Sequence, residues 1–200
     1  MKKLITLFIV CCGFSSLTLA ADPAAGKTKA AGCFACHGND GNSSNPIWPK
    51  LAGQNASYLE KQMHDFKDQG RTDPTMNGMI LTVQETDFSD IAAYFSSNEA
   101  SAQIVDEKFI AAGEKLYRAG DASRKVTACA ACHGPAGQGM TSASFPSLAG
   151  QHPEYVLIQL KAFRSGTRKN DPNGMMRNIT SMMSDEQMEA VAHYIAGLHH

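Results

Sequence analysis

The sequence lacks a charge excess: 18 Lys and Arg stand against 19 Asp and Glu, a formal net charge of −1. A chain this balanced does not have the basic footprint of a nucleic-acid binder. It has little Pro (8) and Gly (17), neither in a short period, which excludes collagen-like and low-complexity readings. It lacks the strict alternation of apolar and polar residues that marks half-buried strands. After the first twenty residues it also lacks any long apolar run. With 43% apolar and 18% charged residues it has a globular balance, not a disordered one. Two hundred residues make one ordinary domain or two small ones.

The one long apolar stretch, Leu4 to Phe14, follows Lys2 and Lys3 and ends in small and polar residues before Asp22. This is the layout of a secretory signal peptide over residues 1–20, with cleavage expected after Ala20. The core is short for a membrane span. Cys11 and Cys12 lack the small residues in front that a lipidation site needs. Removing the leader lowers the net charge to −3 and leaves four cysteines, Cys33, Cys36, Cys129 and Cys132.

The remaining chain repeats itself with a period near 97 residues, which marks a domain duplication. Cys33-Phe34-Ala35-Cys36-His37-Gly38 recurs as Cys129-Ala130-Ala131-Cys132-His133-Gly134. Pro49-Lys50-Leu51-Ala52-Gly53-Gln54 recurs as Pro146-Ser147-Leu148-Ala149-Gly150-Gln151. Tyr58, Gln62, Phe66 and Arg71 match Tyr155, Gln159, Phe163 and Arg168. Each half opens with Ala-Ala-Gly, at Gly26 and Gly113, and the second half has extra residues over about 119–127. The boundary is placed at 102/103, giving domains 21–102 and 103–200. Domains this small have thin cores and usually need a staple, metal or cofactor.

Both halves read as all-α. Helical spacing covers Tyr58–Asp68, Thr86–Phe95, Phe109–Arg118 and Tyr155–Arg164. In the last of these, Tyr155, Ile158, Leu160 and Phe163 form the expected apolar side. Ser184 with Gln187 predicts a capping box, followed by a stripe of Met188, Val191, Ala192 and Ile195. The stretches Gly38–Pro49 and Gly134–Pro146 read as ordered loops. Loops this long need something to pack against, and a large flat apolar cofactor would serve.

Cys-x-x-Cys-His is the attachment pattern of c-type haem. Thiols at i and i+3 lie on one side of a helical turn, where they can add to the two haem vinyl groups, and the next residue presents its imidazole to the iron. A zinc site is disfavoured because the two pairs are far apart and each has its own His. A redox dithiol is disfavoured because no thioredoxin-like βαβ pattern surrounds either pair. His37 and His133 are therefore the expected proximal ligands, with the Pro49 and Pro146 carbonyls as candidate acceptors for their second N–H.

The sixth position decides the chemistry, because a Met closes it and raises the potential. Counting back from Tyr94 and Tyr194, Met76 matches Met176; counting forward from Asp73-Pro74 and Asp171-Pro172 leaves Met175 as a rival. Met79 rivals Met76. Met63, Met182, Met183 and Met188 read as core or haem-edge packing, and Met140 is unassigned. His64, His152 and His193 have no counterpart in the other half and read as surface or supporting groups; His199 and His200 read as a solvated terminal pair. Arg71 and Arg168 are either surface cations or partners of haem propionates, an arrangement guanidinium suits.

These tandem motifs, with Tyr58-x-x-x-Gln62, Tyr155-x-x-x-Gln159 and the two Met regions, resemble the dihaem cytochrome c4 family over essentially the whole mature chain. The resemblance implies two tandem cytochrome c-type haem domains related by a pseudo-twofold, with two covalently bound haem c groups. It implies attachment at Cys33, Cys36, Cys129 and Cys132, and axial ligands His37, Met76, His133 and Met176. It also implies a non-enzymatic periplasmic electron carrier, loosely membrane-associated at most, with a quinol-oxidising complex as donor and a terminal oxidase as acceptor. Rival classes are a dihaem peroxidase, which needs an open iron, the haem subunit of a periplasmic dehydrogenase, and a gas or redox sensor, which would need a signalling domain.

Overall fold

The structure is a computed structural model that describes residues 20–199. The leader expected over residues 1–20 lies outside the described residues except for Ala20, and so does His200.

The first half contains α1 (Pro23–Lys29), α2 (Phe34–His37), α3 (Ala56–Lys67), α4 (Pro74–Ile80) and α5 (Phe88–Ser96). The second repeats the order with α6 (Glu107–Ala119), α7 (Ala130–His133), α8 (Pro153–Ser165), α9 (Met175–Thr180) and α10 (Asp185–Ala196). Among the described residues the only β pairing is two isolated bridges, Asp121 with Val126 and Met140 with Phe145. The first lies in the extra segment of the second half, folded as a turn. No helix among the described residues is long and apolar enough to cross a membrane.

Local chemistry sets the helix ends. Asp22 accepts from the Ala24 N–H ahead of α1, and Asp73 accepts from Thr75 and Met76 ahead of α4. Each is followed by Pro at the first helical position, where its missing N–H costs nothing. Ser184 and Gln187 form the expected capping box on α10.

In each half the opening helix crosses the closing one, α1 on α5 and α6 on α10. The repeated glycine sits at that crossing. A Cβ on Gly26 would fall 1.9 Å from the Asp90 carbonyl oxygen, and one on Gly113 would fall 2.4 Å from that of Ala190. Only Gly lets the backbones meet so closely. Leu59, Ile91 and Phe95 fill the first core; Tyr117, Val156, Met183, Met188, Val191 and Ile195 fill the second.

Two sequence expectations need correction, and a third, for His152, narrows from surface or supporting group to supporting group alone. Ile158 is 45% exposed at the cavity described below, while Val156 is the buried residue of that turn of α8. Met182 is also exposed rather than packed. His152 is buried between the halves: its Nε2 donates to the Ser43 carbonyl at 2.9 Å, and Gln103 Nε2 donates to its Nδ1 at 2.7 Å. By contrast, His193 stacks on Phe109 with ring centroids 4.1 Å apart.

Candidate functional site

A cavity of about 750 Å³ runs through both halves. Cys33, Cys36 and His37 line it from the first half, and Cys129, Cys132 and His133 from the second. Apolar side chains such as Leu59, Phe66, Ile91, Val156, Phe163 and Ile179 supply much of its wall.

Each Cys-x-x-Cys-His segment ends in a one-turn helix, α2 or α7. Gly38 and Gly134 stop those turns at φ +80° and +79°, a region that favours glycine. The stop leaves His37 and His133 buried at the end of the turn, while the four cysteine residues are half-buried and their thiols unpaired. Burial pushes the Cys33 thiol up, and the Cys129 thiol to about 11, so both are protonated thiols near neutral pH.

The two imidazoles are oriented alike. Nδ1 of His37 donates to the Pro49 carbonyl at 2.8 Å, and Nδ1 of His133 to the Pro146 carbonyl at 3.0 Å. A carbonyl only accepts, so Nδ1 carries the proton and Nε2 keeps its lone pair. Burial outweighs these hydrogen bonds and holds both rings below the ordinary His range, hence neutral. A neutral imidazole with a fixed tautomer is the form that ligates a metal.

Met76, Met79, Met175 and Met176 all line the cavity. The register step between the halves falls at Asn173 and Gly174, both in left-handed conformation at φ +53° and +70°. Beyond them α9 matches α4 at an offset of 100, with Ile80 and Thr180 both buried near the helix end. Met176 therefore occupies the position of Met76.

Arg71 and Arg168 are not surface cations. They meet between the halves in a crossed network. Arg71 donates to Gln62 Oε1 of its own half at 2.9 Å, and to Tyr155 Oη and Gln159 Oε1 of the other at 2.9 and 3.1 Å. Arg168 donates to Gln159 Oε1 at 2.8 Å, and across to Tyr58 Oη and Gln62 Oε1 at 2.8 and 3.1 Å. Burial opposes ionisation of the Tyr58 phenol, yet the two guanidinium charges outweigh it and pull the group below its ordinary value. Both arginines also line the cavity.

A family model for cytochrome c matches residues 23–99 and again 110–199. Cytochrome c4 of Pseudomonas aeruginosa is 46% identical to this chain, with all of both chains covered. The chain belongs to the cytochrome c4 family. The crystal structure of reduced recombinant cytochrome c4 from Pseudomonas stutzeri superposes with a TM-score of 0.87 at 44% identity, over 90% of this chain and 100% of that one. A thiosulfate dehydrogenase electron acceptor of Stutzerimonas stutzeri is 39% identical over 84% of this chain and 80% of that protein. As a cytochrome c4 family member this is an electron-transfer protein with two covalently bound haem c groups. The cavity fits them: it has mainly apolar walls, two thiol pairs, and two neutral imidazoles with a free Nε2.

Pairing between the halves is the part that sequence reasoning missed. Its one signal was that Tyr, Gln and Arg recur together, which repeat symmetry alone does not connect.

Proposed function

We propose that the protein is a periplasmic dihaem electron carrier, without catalytic activity of its own, that delivers electrons to a respiratory terminal oxidase or similar acceptor. A quinol-oxidising complex is its donor. The domain boundary falls near residue 103. Cys33 and Cys36 hold one haem and Cys129 and Cys132 the other. His37 and His133 are the proximal ligands; Met76 and Met176 take the sixth positions.

The observation that carries this reading is the duplication of the whole ligand set around one cavity. Each half contributes two thiols, a neutral imidazole of fixed tautomer and a methionine in matched register. The bound iron supplies a one-electron couple. The polypeptide keeps the ligands from rearranging: each imidazole is held by a proline carbonyl, and each methionine sits in a short helix, α4 or α9. Apolar walls disfavour the extra positive charge of the oxidised centre and so favour a raised potential. Of five N–H donors each, Arg71 spends three within the described network; Arg168 spends three there and a fourth, its Nε–H, on Asn170 Oδ1 at 3.0 Å. The remainder, at the cavity wall, suit haem propionates.

The test is to mix the reduced holoprotein with aerobic membranes containing a terminal oxidase. Rapid, cyanide-sensitive reoxidation is expected, with the protein recovered from the periplasmic fraction of cells. A protein that membranes leave reduced is not this carrier. The dehydrogenase-linked reading is favoured by one relative's name, a thiosulfate dehydrogenase electron acceptor. It requires rapid reduction by such a dehydrogenase and no direct reoxidation by the oxidase.

A further inference from the structure

The peptide unit between Pro49 and Lys50 is bonded at both ends, to different halves of the molecule. Its carbonyl accepts from His37 Nδ1 at 2.8 Å, and its N–H donates to Gln151 Oε1 of the second half at 2.9 Å. The peptide between Pro146 and Ser147 mirrors it. Its carbonyl accepts from His133 Nδ1 at 3.0 Å, and its N–H donates to Gln54 Oε1 of the first half at 2.7 Å.

The glutamines are locked in place. Gln151 Nε2 donates back to the Lys50 carbonyl at 2.9 Å, and Gln54 Nε2 to the Ser147 carbonyl at 2.8 Å. Each Oε1 takes a second bond from the backbone N–H of the next residue, His152 or Asn55. Gln54 is 7% exposed and Gln151 8%, so water does not compete for these bonds.

A peptide unit is conjugated, and a hydrogen bond given by its N–H places more negative charge on its carbonyl oxygen. A more negative oxygen pulls harder on the imidazole N–H. The imidazole becomes a more basic ligand and favours the oxidised metal. We propose that Gln151 tunes the N-terminal haem through His37, and Gln54 the C-terminal haem through His133, so that each half sets the potential of the other. Both are positioning residues, and the inference rests on the proposed ligation by the two histidines. It makes the contact between halves part of the redox tuning: a partner that loosens the contact raises both potentials.

The test is a redox titration of holoprotein variants followed by NMR, with the haem resonances assigned to each half. Gln151→Leu is expected to raise the potential of the N-terminal haem alone. The change corresponds to roughly threefold to tenfold in its reduction equilibrium. Gln54→Leu is expected to do the same to the C-terminal haem alone. Gln151→Glu puts a stronger acceptor opposite the Lys50 N–H and is expected to lower the N-terminal potential; it decides the matter should the Leu variants fail to fold. Hydrogen exchange of the Lys50 amide is expected to quicken in Gln151→Leu. Unmoved potentials, both haems shifting together, a shift in the variant's own half, or a raised potential in Gln151→Glu each overturn the relay. Optical spectra separate the two claims. A parent protein without low-spin haem refutes the ligation itself, whereas intact spectra with unmoved potentials refute only the relay.

Discussion

Arg71 of the first half donates to the phenol oxygen of Tyr155 in the second at 2.9 Å, and Arg168 returns the bond to Tyr58 at 2.8 Å. The two contacts are reciprocal and join equivalent positions of the two halves. Arg168 is only 7% exposed, so the guanidinium depends on these oxygens in place of water.

Removing one phenol oxygen leaves part of a charged donor set unsatisfied. Tyr155→Phe and Tyr58→Phe are each expected to destabilise the holoprotein by ~1.5 kcal/mol, the lower end for hydrogen bonds to charged groups. The double variant is expected to depart from additivity because both arginines share Gln62 and Gln159. Denaturant titration of the four proteins measures it.

Gly26→Ala and Gly113→Ala place a methyl group against backbone oxygen atoms that have no room to yield. Each is expected to force its opening and closing helices apart, at a cost of ~3 kcal/mol or more. Thermal unfolding checks the value. Gly32→Ala is the comparison, since a Cβ there meets nothing within 4 Å.

Met176 shares the register of Met76, and Met175 does not. Met176→Ala is expected to remove half of the methionine–iron charge-transfer absorbance and to leave one haem able to bind CO. Met175→Ala is expected to leave the band intact. Met76→Ala is expected to behave like Met176→Ala, and Met79→Ala like Met175→Ala. Absorbance spectra of the four proteins, ferric for the band and ferrous with CO for an open iron, decide these assignments.

His152 predicts an acid-sensitive contact between the halves. Burial holds its imidazole below the ordinary His value. The Ser43 carbonyl and Glu154 oppose that shift, and the nearby Lys50 charge adds to it. The unfolded chain therefore binds a proton at higher pH than the folded one. Stability falls as pH drops below the unfolded value of ~6.5, until the folded pKa is reached. His152→Gln is expected to flatten the pH dependence in that window, measured by thermal unfolding between neutral and mildly acidic pH.

The sequence made the haem motifs, the duplication and the longer helices legible because each depends on local spacing. The capping box needs only Ser184 and Gln187, and the α8 helix only its periodicity. The Pro49 and Pro146 carbonyls could be nominated because a proximal imidazole needs an acceptor. The crossed pairs could not. Gln54 meets Ser147 and Gln151 meets Lys50 across 93 and 101 positions, and periodicity carries no information at that range. The repeated Gly26 and Gly113 were visible, but their reason lies in helices over sixty residues away. Ile158 misled because the apolar side of α8 is divided between the protein core and the cavity.

The most direct measurement is the optical spectrum of the purified protein in the ferric state, the ferrous state and the ferrous state with CO. Two low-spin haems per chain, a methionine–iron charge-transfer band and no response to CO are expected of a carrier with both irons closed by His and Met. A high-spin fraction, or CO binding at either haem of the unmodified protein, would mean an open iron and would contradict the electron-carrier reading.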